Sequence, residues 1–130
     1  MIQRIQTVFL FMIGVVSVTG FFFLPSLDFF TLGLMVPAIL KSYIILTCSL
    51  AFLSLMIFKN RKTQLIINRL HFFLQVGMTG VLIFGLLNAD ELNSFLLWLL
   101  MPFQSMILLI LSSRAIQKDE DLIRSIDRLR

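Results

Sequence analysis

Four long stretches of the chain carry almost no charge: residues 8–24, 38–58, 72–87 and 95–111, which are 17, 21, 16 and 17 residues long. The polar members of the first are small (Gly14, Ser17, Thr19 and Gly20), and Pro25 stops it. A helix rises about 1.5 Å per residue, so 17 residues reach only about 26 Å of a hydrocarbon core about 30 Å thick. The three shorter runs therefore have to borrow a turn from their flanks, which predicts spans over residues 5–24, 38–58, 66–87 and 94–113. None of the runs shows the period-2 alternation of a membrane barrel. The expected class is an all-α membrane protein, a four-transmembrane-helix bundle.

The connections are short. Residues 25–37, PSLDFFTLGLMVP, are bracketed by prolines and still apolar, so they are expected to lie in the interface or against helix ends. Residues 59–64 read KNRKTQ, and residues 88–94 read NADELNS, where Asn93 or Ser94 has the chemistry of an N-cap for the last helix. With no internal repeat or low-complexity segment, the chain divides into a transmembrane domain, 1–113, and a charged tail, 114–130.

Composition places the chain in the same solvent. Of 130 residues, 58% are hydrophobic and 14% charged, against roughly 45–50% and 25% in a soluble domain. A soluble globule of this size has too little interior for that much apolar surface. One Cys and one His exclude an intramolecular disulfide and any multi-thiolate metal site.

Charge gives direction. Of the 11 Lys and Arg residues, Lys41 alone falls on the side opposite the N-terminus once the spans are drawn. That asymmetry predicts both termini in the cytoplasm. Ten cations on one face are then explained by orientation and anionic lipid, not by nucleic acid. The first run has a single Arg4 before it and no small-residue cleavage site after it, so it reads as a retained span, not a signal peptide.

Candidate chemistry is sparse. No Asp or Glu lies in the four uncharged cores, which disfavours proton-coupled export through an embedded acid. Arg69 and His71, near the inner end of the third span, could form a proton relay or hold an anionic head group. The simpler reading has Arg69 snorkelling to the interface and His71 one turn deeper. His71 and Met78 lie on one helix and cannot ligate opposite faces of one haem iron in a monomer. Lys41 is expected to snorkel from its helix start, with Asp28, Asp90 and Glu91 as its alternatives for pairing. Gly14, Ser17, Gly20, Thr47, Ala51, Gly77, Thr79, Gly80 and Gly85 permit close helix approach, either within the bundle or along an oligomer seam. Pro102 should kink the fourth span and free a carbonyl near Trp98, with Gln104 and Ser105 one turn on to help satisfy it.

The tail predicts a short amphipathic cytoplasmic helix. Ala115, Leu122, Ile126 and Leu129 recur at helical spacing, and Glu120–Arg124, Lys118–Asp121, Arg124–Asp127 and Asp127–Arg130 supply opposite-charge neighbours worth about 0.2–0.5 kcal/mol each. Its apolar edge needs cover, from the bilayer surface, the KNRKTQ loop or a partner. Contacts with a partner or lipid are therefore assigned to Leu122, Ile126 and Leu129 and to the basic residues Lys59, Arg61, Lys62 and Arg69.

The opening MIQRIQTVFLFM (1–12) and the close RAIQKDEDLIRSIDRLR (114–130), with the inner segment KNRKTQLIINRLHFF (59–73), resemble a bacterial integral-membrane family catalogued as domain-of-unknown-function family 4293. Ile126 stands where that family's pattern leads one to expect a small residue. The resemblance implies four spans in a bacterial inner membrane and supplies no activity. From the residues, no catalytic group, metal site or cofactor is expected. The expected role is a non-enzymatic accessory or assembly subunit of a membrane complex, in contact with lipids and with another membrane protein or itself. The alternative is a self-associating small transporter or pore. An enzyme acting on lipid, with His71 and Arg69 as its polar core, comes third.

Overall fold

Four helices make up the fold: α1 (Gln3–Phe23), α2 (Val36–Met56), α3 (Arg61–Asn88) and α4 (Leu92–Arg128). They belong to a computed structural model that describes residues 3–24, 36–57, 60–88 and 92–128. Each helix is long and apolar enough to cross a bilayer, with a mean hydropathy of 1.8 to 2.1 over its candidate span. The expectations for residues 25–35, and for Lys59, Asp90, Glu91, Leu129 and Arg130, lie outside the described residues.

The basic connection turns out to be mostly helix. Asn60 caps α3: its Oδ1 accepts the Thr63 amide N–H at 3.4 Å, and its backbone carbonyl accepts that of Gln64 at 3.0 Å. An Asn at this position satisfies a donor that the first turn leaves orphaned. As a result α3 begins at Arg61, not near residue 66, and Arg61 and Lys62 belong to its first turn. At the other connection α4 already starts at Leu92, so Asn93 and Ser94 lie inside the helix and neither caps it.

The expected short amphipathic C-terminal helix is not a separate element. α4 runs unbroken for 37 residues, through Pro102 and on to Arg128, a length of about 55 Å at the helical rise. The physical reason is that nothing in the sequence stops it. Neither Gly nor Pro occurs between Ser112 and Arg128, and the predicted Glu120–Arg124 ion pair forms at 2.7 Å across one turn. The C-terminal helix is therefore long and largely apolar. The Lys118–Asp121 pair, by contrast, does not form.

The helices pack in a ring, each against its neighbours in sequence, with α4 closing against α1 and no diagonal pair in contact among the described residues. The buried positions explain this. On α1 they are Gln6, Leu10, Ile13, Ser17 and Gly20; on α3 they are Gln64, Asn68, His71, Gln75, Met78 and Leu82. Both sets advance by alternating steps of three and four residues, the heptad spacing that lets side chains interdigitate along a slightly inclined pair. Toward the end that carries Leu40 the interior is apolar, built from Leu40, Tyr43, Ile44, Met78, Leu82, Phe95, Trp98 and Met101. A second apolar layer, Leu10, Ile13, Ala51 and Leu109, lies deeper toward the other end. Phe11, Phe73 and Leu100 project outward, more than 60% exposed, as a lipid-facing surface requires.

Candidate functional site: a buried polar spine

The third helix organises the site. Gln64, Asn68, His71 and Gln75 fall on one stripe of α3, and all four are buried. In hydrocarbon an unpaired polar group costs several kcal/mol, so each needs a partner: Gln64, Asn68 and Gln75 find theirs on neighbouring helices, and His71 bonds to Gln75 of its own helix. They do so in sequence from one end of α3 to its middle.

Near the start of α3, Gln64 Nε2 donates to the backbone carbonyl of Ser54 at 3.2 Å. That carbonyl belongs to the last turn of α2, where helical acceptors run out. One turn deeper Asn68 joins three helices. Its Oδ1 accepts the Ser54 hydroxyl of α2 at 2.7 Å, and its Nδ2 donates to Ser112 Oγ of α4 at 3.5 Å. The first helix is tied in by Gln6, whose Nε2 donates to Asp119 Oδ2 at 3.2 Å, with both side chains buried. This bond also places the N-terminal part of α1 and the far part of α4 at the same end of the molecule.

At the middle of α3 lies a second cluster. The Tyr43 hydroxyl donates to Gln75 Oε1, and Gln75 Nε2 faces Thr47 Oγ1 at 3.4 Å and His71 Nε2 at 2.9 Å. With the amide oriented in this way its nitrogen only donates, so His71 Nε2 accepts and the imidazole proton sits on Nδ1. That Nδ1 is buried and has no hydrogen-bond partner among the described residues. The Arg61 guanidinium also holds one buried nitrogen, Nη1, without a partner.

Hydroxyls on the outer faces behave differently. Thr19, Ser42 and Ser49 donate back to carbonyls of their own helix at 2.7–2.9 Å, the local solution open to short side chains. Buried Ser17 takes the same local solution, to the Ile13 carbonyl at 2.8 Å, whereas the inward-facing Ser54 bonds across helices. The spine is thus a set of interhelical ties with one bond, His71–Gln75, inside α3, and it stops at the apolar layer around Leu40 and Phe95.

The sequence reading placed few of these residues. His71 was expected at the interface and is fully buried. It faces inward because it lies on the Gln64–Asn68–Gln75 stripe, whereas Arg69, two residues earlier, faces out. Arg69 and Lys62 are exposed and Arg61 is half-buried; the spine includes none of them. Lys59 and Leu129 lie outside the described residues. The tail residues that pack inward are Ile116 and Asp119; Leu122 and Ile126 are exposed. The signal that was available is the run of polar residues at 64, 68, 71 and 75, spaced four, three and four. A polar stripe at heptad spacing in a span marks the interior face.

The small residues divide into two groups. A Cβ on Gly20 would collide with Met101 Cε and Sδ, so this glycine sets the approach of α1 to α4. Gly14, Gly77 and Gly80 have open space where a Cβ would stand. No group of three or more His, Cys, Asp or Glu that could hold a metal occurs among the described residues.

A family model described as a domain of unknown function, DUF4293, matches residues 2–129, nearly the whole chain. No curated protein and no solved structure matches it.

Proposed function

Given that the chain belongs to the DUF4293 family, we propose that it is a non-enzymatic accessory or assembly subunit of a larger complex in a bacterial cytoplasmic membrane, and that it meets its partner through the end of α4. The observation that carries this reading is the exposure of the last described turns. Every position from Asp121 to Ile126 is exposed, including Leu122, Ile123 and Ile126 at 45%, 46% and 62%. The bilayer surface is a poor cover for this stripe. A helix without a break after Pro102 carries its last turns onward along the axis of the span and cannot lay them flat on the head groups. The segment 61–64 cannot serve either, since it is the first turn of α3. Burying three aliphatic side chains at about 25 cal/mol per Å² supplies several kcal/mol as an upper bound, enough to hold a helix in a partner's groove.

The test is purification of the full chain in native detergent, wild type beside the Leu122→Asp, Ile126→Asp double variant. The expected result is a distinct membrane protein at fixed stoichiometry with the wild type, reduced at least tenfold with the variant, while both remain inserted. Equal recovery of that protein with both chains, or no such protein with either, would overturn the reading.

Orientation belongs to the same proposal: both termini face the cytoplasm. Arg61 and Lys62 in the first turn of α3 oppose the helix dipole, and an orienting basic cluster gives them a reason to be there. A cysteine placed at Thr63 in a Cys48→Ser background should resist a membrane-impermeant maleimide in intact spheroplasts. One placed at Asp90 should label. The reverse pattern would invert the topology.

A second reading, self-association into a small transporter or pore, is favoured by the open space beside Gly14, Gly77 and Gly80, where helices of another copy could approach closely. A homo-oligomer without a foreign subunit in the same purification would select it.

A further inference from the structure

Between α3 and α4, on the outside of the ring, lies a groove of about 360 Å³ lined by Arg69, Phe73, Ile110, Ser113, Arg114 and Gln117 among others. Its two cations flank the level at which Asn68 meets Ser112, one on each helix wall. Both guanidiniums are exposed, and neither is engaged by a carboxylate among the described residues. The lining contains no acid. Phe73 is 70% exposed and Ile110 41%, so the part of the groove nearer the middle of the spans is an open apolar wall. A single cleft thus offers positive charge and hydroxyl and amide donors at one end and hydrocarbon at the other.

We propose that this groove is a binding site for an anionic phospholipid of the adjacent leaflet. The lipid phosphate lies between Arg69 and Arg114, with Ser113 and Gln117 within the same rim, and an acyl chain runs along Phe73 and Ile110. Charge complementarity selects this occupant. A transmembrane helix of another protein would have to bury two unpaired guanidiniums against its apolar surface, whereas a phosphodiester neutralises them through charge-assisted hydrogen bonds. A basic pocket between spans at the interface is the geometry in which anionic head groups are held. The site does not depend on the docking role of the tail. It lies on the flank of the ring, and its occupant is a lipid whichever partner the tail meets.

The experiment is native mass spectrometry of the full chain in detergent, titrated with phosphatidylglycerol or with phosphatidylcholine of the same acyl composition. The wild type should retain phosphatidylglycerol preferentially. Each arginine near the surface contributes about fivefold in affinity and the pair roughly thirtyfold, so Arg69→Gln with Arg114→Gln should lose that factor. Lys118→Gln with Arg124→Gln, which removes two cations from the same end of the molecule but not from the groove, should lose much less. Ser113→Trp fills the groove and keeps both charges; it should also abolish the preference, which covers the case in which the double arginine variant fails to insert. Glycerol phosphate, a head group without chains, should not compete at millimolar concentration. Absence of a lipid preference in the wild type, equal losses in the two double variants, or full retention by Ser113→Trp would each overturn the proposal.

Discussion

Replacing Gln75 by methionine, a side chain of similar length without hydrogen-bonding groups, is expected to lower the unfolding free energy in lipid or detergent by about 2–4 kcal/mol. This amide makes three bonds, accepting from Tyr43 and donating to Thr47 and His71. Interhelical hydrogen bonds in membranes average only about 0.6 kcal/mol because the unfolded helices find other partners, so simple addition gives roughly 2 kcal/mol. The orphans left behind raise the figure. Thr47 can turn its hydroxyl to a carbonyl of its own helix, as Ser49 does at 2.7 Å, and loses little. The Tyr43 hydroxyl keeps Thr47 within reach, but His71 would be left without a partner on either nitrogen, its Nδ1 having none already. Steric-trapping measurements of unfolding would check this. Ser112→Ala, which removes one bond of 3.5 Å from Asn68 Nδ2, should cost less, about 0.6–1.7 kcal/mol. Adding His71→Leu to Gln75→Met should restore part of the loss by removing an orphan. A loss below 1 kcal/mol for Gln75→Met would mean that the cluster is not coupled.

The second large effect is expected at the contact between Gly20 and Met101. Gly20→Ile should destabilise by about 1–3 kcal/mol by forcing α1 away from α4, since the space for its Cβ is occupied by the end of Met101 and, at 3.2 Å, by Leu24 Cδ1. Gly20→Ala should be close to neutral. The obstructing atoms are the tip of a flexible side chain that can swing aside, and alanine regains up to about 1 kcal/mol of helix propensity. Met101→Ala combined with Gly20→Ile should recover much of the loss, giving a coupling that a double-mutant cycle measures directly. Gly14→Ala, where nothing lies within 4 Å of the added carbon, provides the reference. If Gly20→Ile proved no worse than Gly14→Ala, the tight α1–α4 approach would not be a determinant of stability.

Much of the architecture was legible because the bilayer imposes a strong constraint. Almost uncharged runs of 16–21 residues can be little other than spanning helices, and four helices long and apolar enough to span are present. What escaped the sequence reading were local terminations and facing. The start of α3 was placed too late because Arg61, Lys62 and Gln64 look like loop by hydropathy, although Asn60 is a good cap for a helix that includes them. The tail was split from α4 because the change from apolar to charged at residue 114 suggests a boundary, while backbone propensity shows no break there. The interior polar stripe was missed for a different reason. Taken singly, Gln64, Asn68, His71 and Gln75 are ordinary polar residues in an apolar helix; their common spacing carries the information. Asp119 looked like one of several tail charges; only the approach of Gln6 from α1, 113 positions earlier in the chain, separates it from the others.

That last contact has a consequence for biosynthesis. At roughly 5–20 residues per second, the 113 positions between Gln6 and Asp119 take roughly 6 to 23 s to translate. During that interval α1 can dock only on α2, and its Gln6 amide and the Gly20 notch wait for a helix not yet made. Closure of the ring is therefore a late step that joins one segment to another made 113 residues later. A ribosome that stalls within α4 would leave an inserted three-helix intermediate with one polar, grooved face open to lipid, the form of this protein that membrane quality control is best able to recognise.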